Sequence, residues 1–535
     1  MIPGLMQPRP LLVSTIADYA DQAHGKVEIV SRLVDEPIWR YDYKGMALRS
    51  RKLSQALARL GIAPGDRISS LAWNTHRHME MFFGTTSVGA VLHTANPRLH
   101  EDQLVYTINH AGSRLVFYEA SFGPLLAQLR YRLPNVEQYI CLSETDAAIF
   151  YEELIAPETG VLIWPQFDEN AGAILCYTSG TTGNPKGVLY SHRSIVLHAM
   201  GAALPAALGL TAFDVVMPCS SLYHATAWGL PFVAAIAGSK FVLPADKMDP
   251  KSLHELIECE GVTFTGGVPT IWTAYLDWLE RSGVTPKELK RVVIAGSAVP
   301  KSMAEAFHQK HDVEVLQLWG MTETCPLGVV ATPTPQLAKS GDDMMRDTIW
   351  SRQGRLQYGV ELKIVDEAGM SVPSDGETSG ALLVRGPWVI ERYYGASETA
   401  LNEDGWFDTG DVATLDENGF MRITDRAKDV IKSGGEWISS IDLENVAAGA
   451  SGVKIAAIIG LAHPKWDERP LLIVEPHDGM DISPDAVMEY LRDKVVRWWL
   501  PDNIVVAPVP LTATGKIDKK QLRAEYEGHY TRGDA

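Results

Sequence analysis

One stretch of eleven residues, 177–187, constrains the chemistry of this chain more than any other. It reads Tyr-Thr-Ser-Gly-Thr-Thr-Gly-Asn-Pro-Lys-Gly and follows the apolar run 171–176, so we predict a loop that leaves a buried strand. Its glycines let the backbone approach a ligand closely, its hydroxyl and N–H groups can donate hydrogen bonds, and Lys186 supplies positive charge. Together these groups predict a loop that holds phosphate.

Two other interpretations of this loop are less consistent with its residues. A plain turn between strands also uses glycine and threonine, but it does not require hydroxyls, glycines, proline and lysine in one unbroken order. A Walker phosphate loop is excluded, because Pro185 stands where that motif needs the glycine before its lysine.

Composition limits the class of protein. A chain of 535 residues with 46% hydrophobic residues is expected to form two or more domains. The net charge of −18, without a basic tail, argues against a nucleic-acid partner. Five cysteines without CxxC spacing favour reduced thiols in a cytoplasmic protein over disulfides or a zinc site. The start lacks a secretory pattern, and the most apolar stretch, 228–243, is too short to span a bilayer.

The order of apolar patterns predicts an α/β fold. Strand-like and helix-like segments alternate over 27–142, with a helix expected at 79–92. Ser191 is predicted to cap the next helix. Beyond residue 333 we expect a small barrel or sheet, with strands at 360–365, 380–385 and 388–394. The chain end, with a helix at 486–499, predicts a small α+β domain.

Several short segments contain residues suited to nucleotide and acid chemistry. His224 and Trp228 are four residues apart, which predicts one side of a helical turn, although on the residues alone a core histidine beside a core tryptophan fits better. Residues 295–300 follow a buried strand and do not complete a GxSxG elbow, so we interpret them as a nucleotide loop. In 319–324, Trp-Gly-Met-Thr-Glu-Thr, an aromatic ring can stack on a base and Glu323 can hold magnesium.

The later motifs add an aspartate, an arginine and a lysine. In 405–412 and 420–429, a buried aspartate can accept hydrogen bonds from both ribose hydroxyls and a nearby arginine can add to the grip, and a structural ion pair is the alternative for each. Lys516 follows a glycine in Thr-Ala-Thr-Gly-Lys-Ile near the end of the chain, where a lysine is usually solvated.

These motifs, in this order, resemble those of the adenylate-forming superfamily, which includes acyl-CoA synthetases, peptide-synthetase adenylation domains and beetle luciferases. The resemblance covers nearly the whole chain. It implies a large N-terminal adenylation domain, residues 1–427, of two α/β sheet subdomains plus a small β-barrel. A smaller mobile C-terminal α+β domain, residues 428–535, carries the catalytic lysine, and Lys428 is the expected hinge.

The resemblance also implies a role for each motif residue. Lys516 is the expected catalytic residue together with His224, and magnesium is expected at Thr178 and Glu323. The acid is expected at His224, Trp228 and Gly320, and coenzyme A at Gly434, Gly435, Glu436 and Trp437. The expected ATP and AMP contacts are Thr178, Ser179, Gly180, Thr181, Thr182, Gly183, Lys186, Gly296, Ser297, Ala298, Gln317, Leu318, Trp319, Gly320, Met321, Thr322, Asp411, Ile423 and Arg426.

Two positions depart from the usual pattern of this superfamily. Tyr223 precedes His224 where phenylalanine is more frequent, which leaves the shape of the acid pocket open, and Trp319 replaces a common tyrosine.

The implied activity is an ATP-dependent acid–coenzyme A ligase that forms an acyl adenylate and then a thioester, with Mg²⁺. Trp228 and residues 425–437 look most like the branch of bacterial medium- and long-chain fatty acyl-CoA synthetases and 3-methylmercaptopropionyl-CoA ligases. A medium-chain fatty acid is the expected acid, and a short thioalkanoate or a bulkier carboxylate is the alternative. Loading of a carrier protein, or AMP binding without turnover, are further alternatives. A homodimer through the N-terminal domain is expected by family analogy.

Overall fold

The computed structural model describes residues 1–143, 149–178, 184–434 and 436–531. Within them the chain forms three β-sheets flanked by helices. The first sheet has six strands and is parallel except for its last pair. In spatial order these strands are β6 (Gln138–Cys141), β5 (Ser113–Tyr118), β3 (Arg67–Leu71), β4 (Val91–Thr94), β7 (Gly172–Tyr177) and β8 (Gly187–Ser191).

The second sheet is mixed, with a parallel centre and an antiparallel extension. In spatial order its thirteen described strands are β16 (Glu361–Val365), β17 (Gly380–Arg385), β18 (Phe407–Leu415), β19 (Phe420–Arg426), β15 (Gly354–Leu356), β14 (Val329–Val330), β13 (Glu314–Trp319), β12 (Arg291–Ala295), β11 (Phe264–Gly267), β9 (Val215–Pro218), β10 (Lys240–Leu243), β1 (Glu28–Ser31) and β2 (Trp39–Asp42).

The third sheet lies wholly in the C-terminal part of the chain and is mainly antiparallel. Its described strands are β21 (Glu436–Ile438), β20 (Ile431–Ser433), β23 (Asp467–Pro476) and β22 (Val453–His463), with β24 (Asn503–Val506) paired to β23. Apolar residues from Ile431 onward pack into cores of their own on the two faces of this sheet.

Helices cover the faces of the sheets. In chain order they are α1 (Val13–His24), α2 (Tyr43–Arg59), α3 (His76–Thr86), α4 (Glu101–Ala111), α5 (Gly123–Leu129), α6 (Tyr151–Ile155), α7 (His192–Ala203), α8 (Leu230–Ala237), α9 (Pro250–Glu260), α10 (Pro269–Ser282), α11 (Lys301–His311), α12 (Pro335–Ala338), α13 (Asp342–Ser351), α14 (Ser440–Ala447), α15 (Pro484–Arg492) and α16 (Lys519–Glu525). None of the helices in the described ranges has the length and apolarity needed to cross a membrane.

The parallel centre of the second sheet determines where a site can form. Strands β9, β11, β12 and β13 run in one direction, so the segments that follow them all emerge at the same edge. Ligands of open α/β sheets bind at this carboxyl edge. The segments that follow β9, β12 and β13 are those that the sequence singled out around residues 220–229, 296–300 and 320–324.

The predicted fold class is confirmed: a large N-terminal α/β part is followed by a smaller α+β part. Ser191 caps α7, since its hydroxyl oxygen accepts a hydrogen bond from the backbone N–H of Ser194 at 3.0 Å. The region where a small barrel was expected is an antiparallel run of strands that joins the second sheet through β14 and β15.

Three local predictions were wrong. The strand expected at 388–394 is a series of turns, the helix expected at 79–92 ends at Thr86, and the helix expected at 486–499 ends at Arg492. In each case tertiary packing overrides a short apolar pattern that fits more than one structure.

Candidate active site

A cavity of about 850 Å³ opens at the carboxyl edge of the second sheet, where the C-terminal part of the chain faces the N-terminal part. Its walls include Thr178 and Lys186 from the phosphate loop, Trp319 after β13, Arg426 at the end of β19, and Lys516. The fold therefore brings into one cavity residues that are more than 300 positions apart in the chain.

The two described ends of the phosphate loop close on each other. The N–H of Thr178 donates to the carbonyl of Lys186 at 2.9 Å, and the N–H of Lys186 donates to Thr178 Oγ1 at 3.2 Å. The predicted phosphate contacts Ser179, Gly180, Thr181, Thr182 and Gly183 lie outside the described residues.

Trp319, Asp411 and Arg426 form a connected group on one wall of the cavity. The indole N–H of Trp319 donates to Asp411 Oδ2 at 2.8 Å, and Asp411 Oδ1 lies 2.7 Å from Arg426 Nε. Burial raises the pKa of Asp411, and the positive charge of Arg426 opposes this shift. The carboxylate is thus held rigidly beside the cavity, where its oxygens can meet ribose hydroxyls.

The predicted nucleotide segments line the same cavity. Gly296, Ser297 and Ala298 follow β12, and the residues from Leu318 to Glu323 follow or end β13. Gly320 has no room for a side chain, because a Cβ there would lie 1.6 Å from the carbonyl oxygen of Pro326.

One predicted nucleotide contact is not part of the cavity wall, whereas several unpredicted residues are. Gln317 is buried, and its amide N–H donates to the carbonyl of Trp350. Gln353 lines the cavity instead, and its Oε1 accepts from the N–H of the predicted contact Ile423 at 2.6 Å. A single glutamine outside any motif gave no signal in the sequence.

The surroundings of Glu323 fit its predicted role as a magnesium ligand. It is buried in the cavity wall, and its Oε1 accepts a hydrogen bond from the hydroxyl of Tyr393 at 2.9 Å. Burial and Glu323 raise the pKa of Tyr393, so its hydroxyl stays protonated and can donate. The described residues contain no cluster of three or more acidic, histidine or cysteine ligands. One carboxylate with the hydroxyl of Thr178 suits Mg²⁺, which takes few protein ligands and completes its shell with substrate phosphates and water.

Lys516 enters the cavity from the C-terminal part of the chain. Its loop is closed by a hydrogen bond from the N–H of Thr512 to the carbonyl of Lys516 at 2.7 Å, and the carbonyl of Gly515 accepts from Thr270 Oγ1 on α10 at 3.4 Å. Burial and the charge of Arg426 lower the pKa of Lys516 from 10.5 to about 8. An anion bound beside Lys516 in the cavity would therefore stabilise its charged form.

His224 and Trp228 both line the cavity, but their helical turn is left-handed rather than α-helical as expected. Residues from Ala225 to Gly229 all have positive φ, between 38° and 75°. The Trp228 ring packs over Gly266 in β11, where a Cβ would lie 3.3 Å from it. Burial, helped by Lys516, lowers the pKa of His224 to about 4, so its imidazole is neutral near pH 7.

Of the predicted coenzyme A turn, Gly434 lies outside this cavity. Gly434 is exposed, is not part of the cavity wall, and donates its N–H to the carbonyl of Trp466 at 2.8 Å. Gly435 and the side chains of Glu436 and Trp437 lie outside what the structure describes. The expected hinge residue Lys428 lines the cavity, and burial with the nearby Arg426 lowers its pKa.

Comparison with known proteins gives a consistent result. Residues 17–394 match the AMP-binding enzyme family, and residues 442–516 match the AMP-binding enzyme C-terminal domain. The chain is 44% identical to a 3-methylmercaptopropionyl-CoA ligase of Ruegeria lacuscaerulensis, over 99% of both chains. It is 43% identical to a medium-chain-fatty-acid–CoA ligase of Ectopseudomonas oleovorans, over 98% of this chain and 97% of the relative.

A solved structure has the same fold. The anthranilate CoA ligase AuaEII in complex with anthranoyl-AMP superimposes with a TM-score of 0.87 over 97% of this chain and 98% of its own, at 22% identity. At that identity the likeness concerns the fold alone.

Proposed function

The chain belongs to the AMP-binding enzyme family as an ATP-dependent acid–coenzyme A ligase, and we propose that the acid it activates is a medium-chain fatty acid. One observation carries the site assignment. Lys516 reaches the same cavity as the Trp319–Asp411–Arg426 group and the His224–Trp228 turn. A cation is thus available between a nucleotide side and an acid side.

The first half-reaction is the attack of a carboxylate oxygen on the α-phosphorus of ATP, with pyrophosphate as the leaving group. Asp411 and Arg426 hold the ribose in this account, and Thr178 and Lys186 with the loop 179–183 hold the β- and γ-phosphates. Lys516 lies against the carboxylate and the α-phosphate. Its charge offsets the repulsion between two anions, and catalysis of this step is mainly positioning and charge stabilisation.

Mg²⁺ would be held by Glu323 and Thr178 and would supply charge neutralisation for the phosphates. The neutral His224 has a different task. An uncharged imidazole can donate one hydrogen bond to the carboxylate without competing with Lys516 as a second cation.

The second half-reaction is the attack of the coenzyme A thiolate on the carbonyl carbon of the acyl adenylate, with AMP as the leaving group. We propose that the C-terminal domain, residues 428–535, rotates about Lys428 for this step. The rotation withdraws Lys516 and brings the turn of Gly434, Gly435, Glu436 and Trp437 to the cavity. The support for this proposal is that Lys516 lies in the cavity while Gly434 lies outside it.

The choice of acid rests on the apolar side of the site. Trp228 is 8% exposed, and its ring packs against Gly266 in β11 of the second sheet. In this proposal the indole limits the space that is available to an alkyl chain beyond His224. A medium-length chain can displace or bend around such a ring, and its burial contributes about 0.8 kcal/mol per methylene.

The test is a pyrophosphate-release assay with coenzyme A over butanoate, octanoate, palmitate, benzoate and 3-methylmercaptopropionate. We expect the highest kcat/KM with octanoate. Highest activity with benzoate or palmitate would contradict the assignment. In Trp228→Ala we expect the optimum to move to longer chains, because the ring no longer closes the pocket. An unchanged preference would show that Trp228 does not limit chain length.

A second acid has support from two of the relatives. The 44% identity to a 3-methylmercaptopropionyl-CoA ligase over the full chain favours a short thioalkanoate as the alternative substrate. The same panel separates the two, since such a ligase would use 3-methylmercaptopropionate better than octanoate. We further propose a cytoplasmic homodimer through the N-terminal domain, by analogy with the family, which light scattering of the purified protein would test.

A further inference from the structure

A short segment between β17 and β18 connects two parts of the site that are far apart in the chain. The N–H of Ile390 donates to the carbonyl of Glu323 at 2.8 Å, and the N–H of Tyr394 donates to the carbonyl of Gly187 at 2.8 Å. Residues 390–394 are therefore attached by their backbone to the glutamate on one side and to the exit of the phosphate loop on the other.

Tyr393 lies between these two attachments and contacts both motifs with its side chain. Its hydroxyl donates to Glu323 Oε1 at 2.9 Å, and the ammonium of Lys186 lies 4.7 Å from the centre of its ring. Tyr393 is half-buried in the cavity wall. Tyr393 thus contacts Glu323 by a charge-assisted hydrogen bond and Lys186 by a cation–π contact.

We propose that Tyr393 is a positioning residue that holds Glu323 and Lys186 in the arrangement needed for the phosphates and the metal. The inference rests on the proposed function, because it assigns a task toward the ATP phosphates. Neither the phosphate loop nor the 319–324 motif contains this residue.

Tyr393 restricts the motion of Lys186 and of Glu323 in different ways. Lys186 is exposed and has a long, flexible stem, and fixing such a side chain costs up to about 2 kcal/mol of rotamer entropy. The ring restricts the ammonium to the cavity side before the nucleotide arrives. The carboxylate of Glu323 can rotate about its last bond, and the hydroxyl of Tyr393 fixes one oxygen so that the other faces the cavity.

Two variants separate the contacts. Tyr393→Phe removes the hydroxyl and keeps the ring beneath Lys186, whereas Tyr393→Leu removes both. The measurement is calorimetric binding of a non-cleavable α,β-methylene analogue of ATP to the full chain, with and without Mg²⁺. For Tyr393→Phe we expect affinity to fall about 10-fold or more with Mg²⁺ and to stay unchanged without it, because groups that orient a metal ligand typically contribute this much.

Tyr393→Leu should in addition lose about two- to five-fold in affinity without Mg²⁺, because Lys186 loses its cation–π partner. Tyr394→Phe is the matched control. Its hydroxyl makes only a 3.4 Å hydrogen bond to the carbonyl of Ala111, so binding should equal that of the unmodified protein in both conditions.

The outcomes are distinct. Equal loss in both conditions for Tyr393→Phe, or no loss in either, would overturn the positioning role while the unmodified protein still binds the analogue. Absence of Mg²⁺-dependent binding by the unmodified protein would overturn the proposed function itself, and the inference with it.

Discussion

Lys516 shows how its surroundings prepare a residue for a reaction. Burial and Arg426 disfavour its charge, whereas Asp411 and Glu323 favour it, and its pKa falls to about 8. At pH 7 most of the free enzyme therefore carries the ammonium. A bound phosphate and carboxylate would favour the charged form further.

This shift predicts a pH dependence with a definite sign. The pH dependence of kcat/KM for ATP in the adenylation step reflects the pKa values of groups in the free enzyme. This kcat/KM should therefore fall as pH rises through about 8 and Lys516 loses its proton. Lys516→Arg should be less active but keep its charge across this range. Its profile should not fall near pH 8, and parallel profiles for the two proteins would assign the titration to another group.

Individual site residues could be predicted from the sequence where they belong to a motif with a recognisable chemical role. Trp319, Asp411, Arg426 and Lys516 all line one cavity, although nothing local in the chain brings them together. Gln353 and Tyr393 were missed because they belong to no pattern. Their positions follow from hydrogen bonds to residues 70 positions away, which no short sequence window contains.

At the scale of elements, the turn after His224 is the feature that the sequence described least well. The spacing of His224 and Trp228 fits a helical turn of either hand, and the apolar pattern does not record the sign of φ. A left-handed turn of non-glycine residues costs roughly 1–2 kcal/mol per residue. The turn is stabilised by its burial between α7 and α8.

Gly229 ends this turn and should tolerate no side chain. Its φ is 75°, and a Cβ would lie 2.5 Å from Cε1 of the buried His198 on α7. We expect Gly229→Ala to lower the free energy of unfolding by about 2–4 kcal/mol, from backbone strain and overpacking together. Differential scanning calorimetry should show a clearly lower unfolding temperature.

Gly283→Ala is the control for the strain alone. Gly283 follows the last residue of α10 with a φ of 67°, and a Cβ added there would meet no atom within 4 Å outside its chain neighbours. The cost of this substitution should therefore be about 1 kcal/mol. Equal effects of the two variants would show that contact with His198 does not limit the turn.

At the scale of the whole molecule, the order of the two parts was predictable and their relative placement was not. Alternating patterns predicted a large α/β part followed by a small α+β part. The two parts meet through contacts such as His477 Nδ1 with Asp277 Oδ2 at 2.9 Å and Thr270 with Gly515, and Ser440 bonds to Asp425 near residue 428. Such contacts form between distant surfaces and leave no periodic signal in the sequence.

In this arrangement Lys516 lies in the cavity, and Gly434 is outside it. We propose that the same two parts can adopt a second arrangement, because polar contacts near the surface can be exchanged at low cost. In this proposal one cavity serves two half-reactions, with a different segment of the C-terminal domain present in each.

The most direct test compares Lys516→Ala with the unmodified protein in each half-reaction separately. Pyrophosphate release from ATP and octanoate measures the first, and thioester formation from preformed octanoyl-AMP and coenzyme A measures the second. We expect adenylation to fall by at least about 10²–10³-fold and thioester formation to stay near the rate of the unmodified protein. Equal loss in both half-reactions would contradict the account.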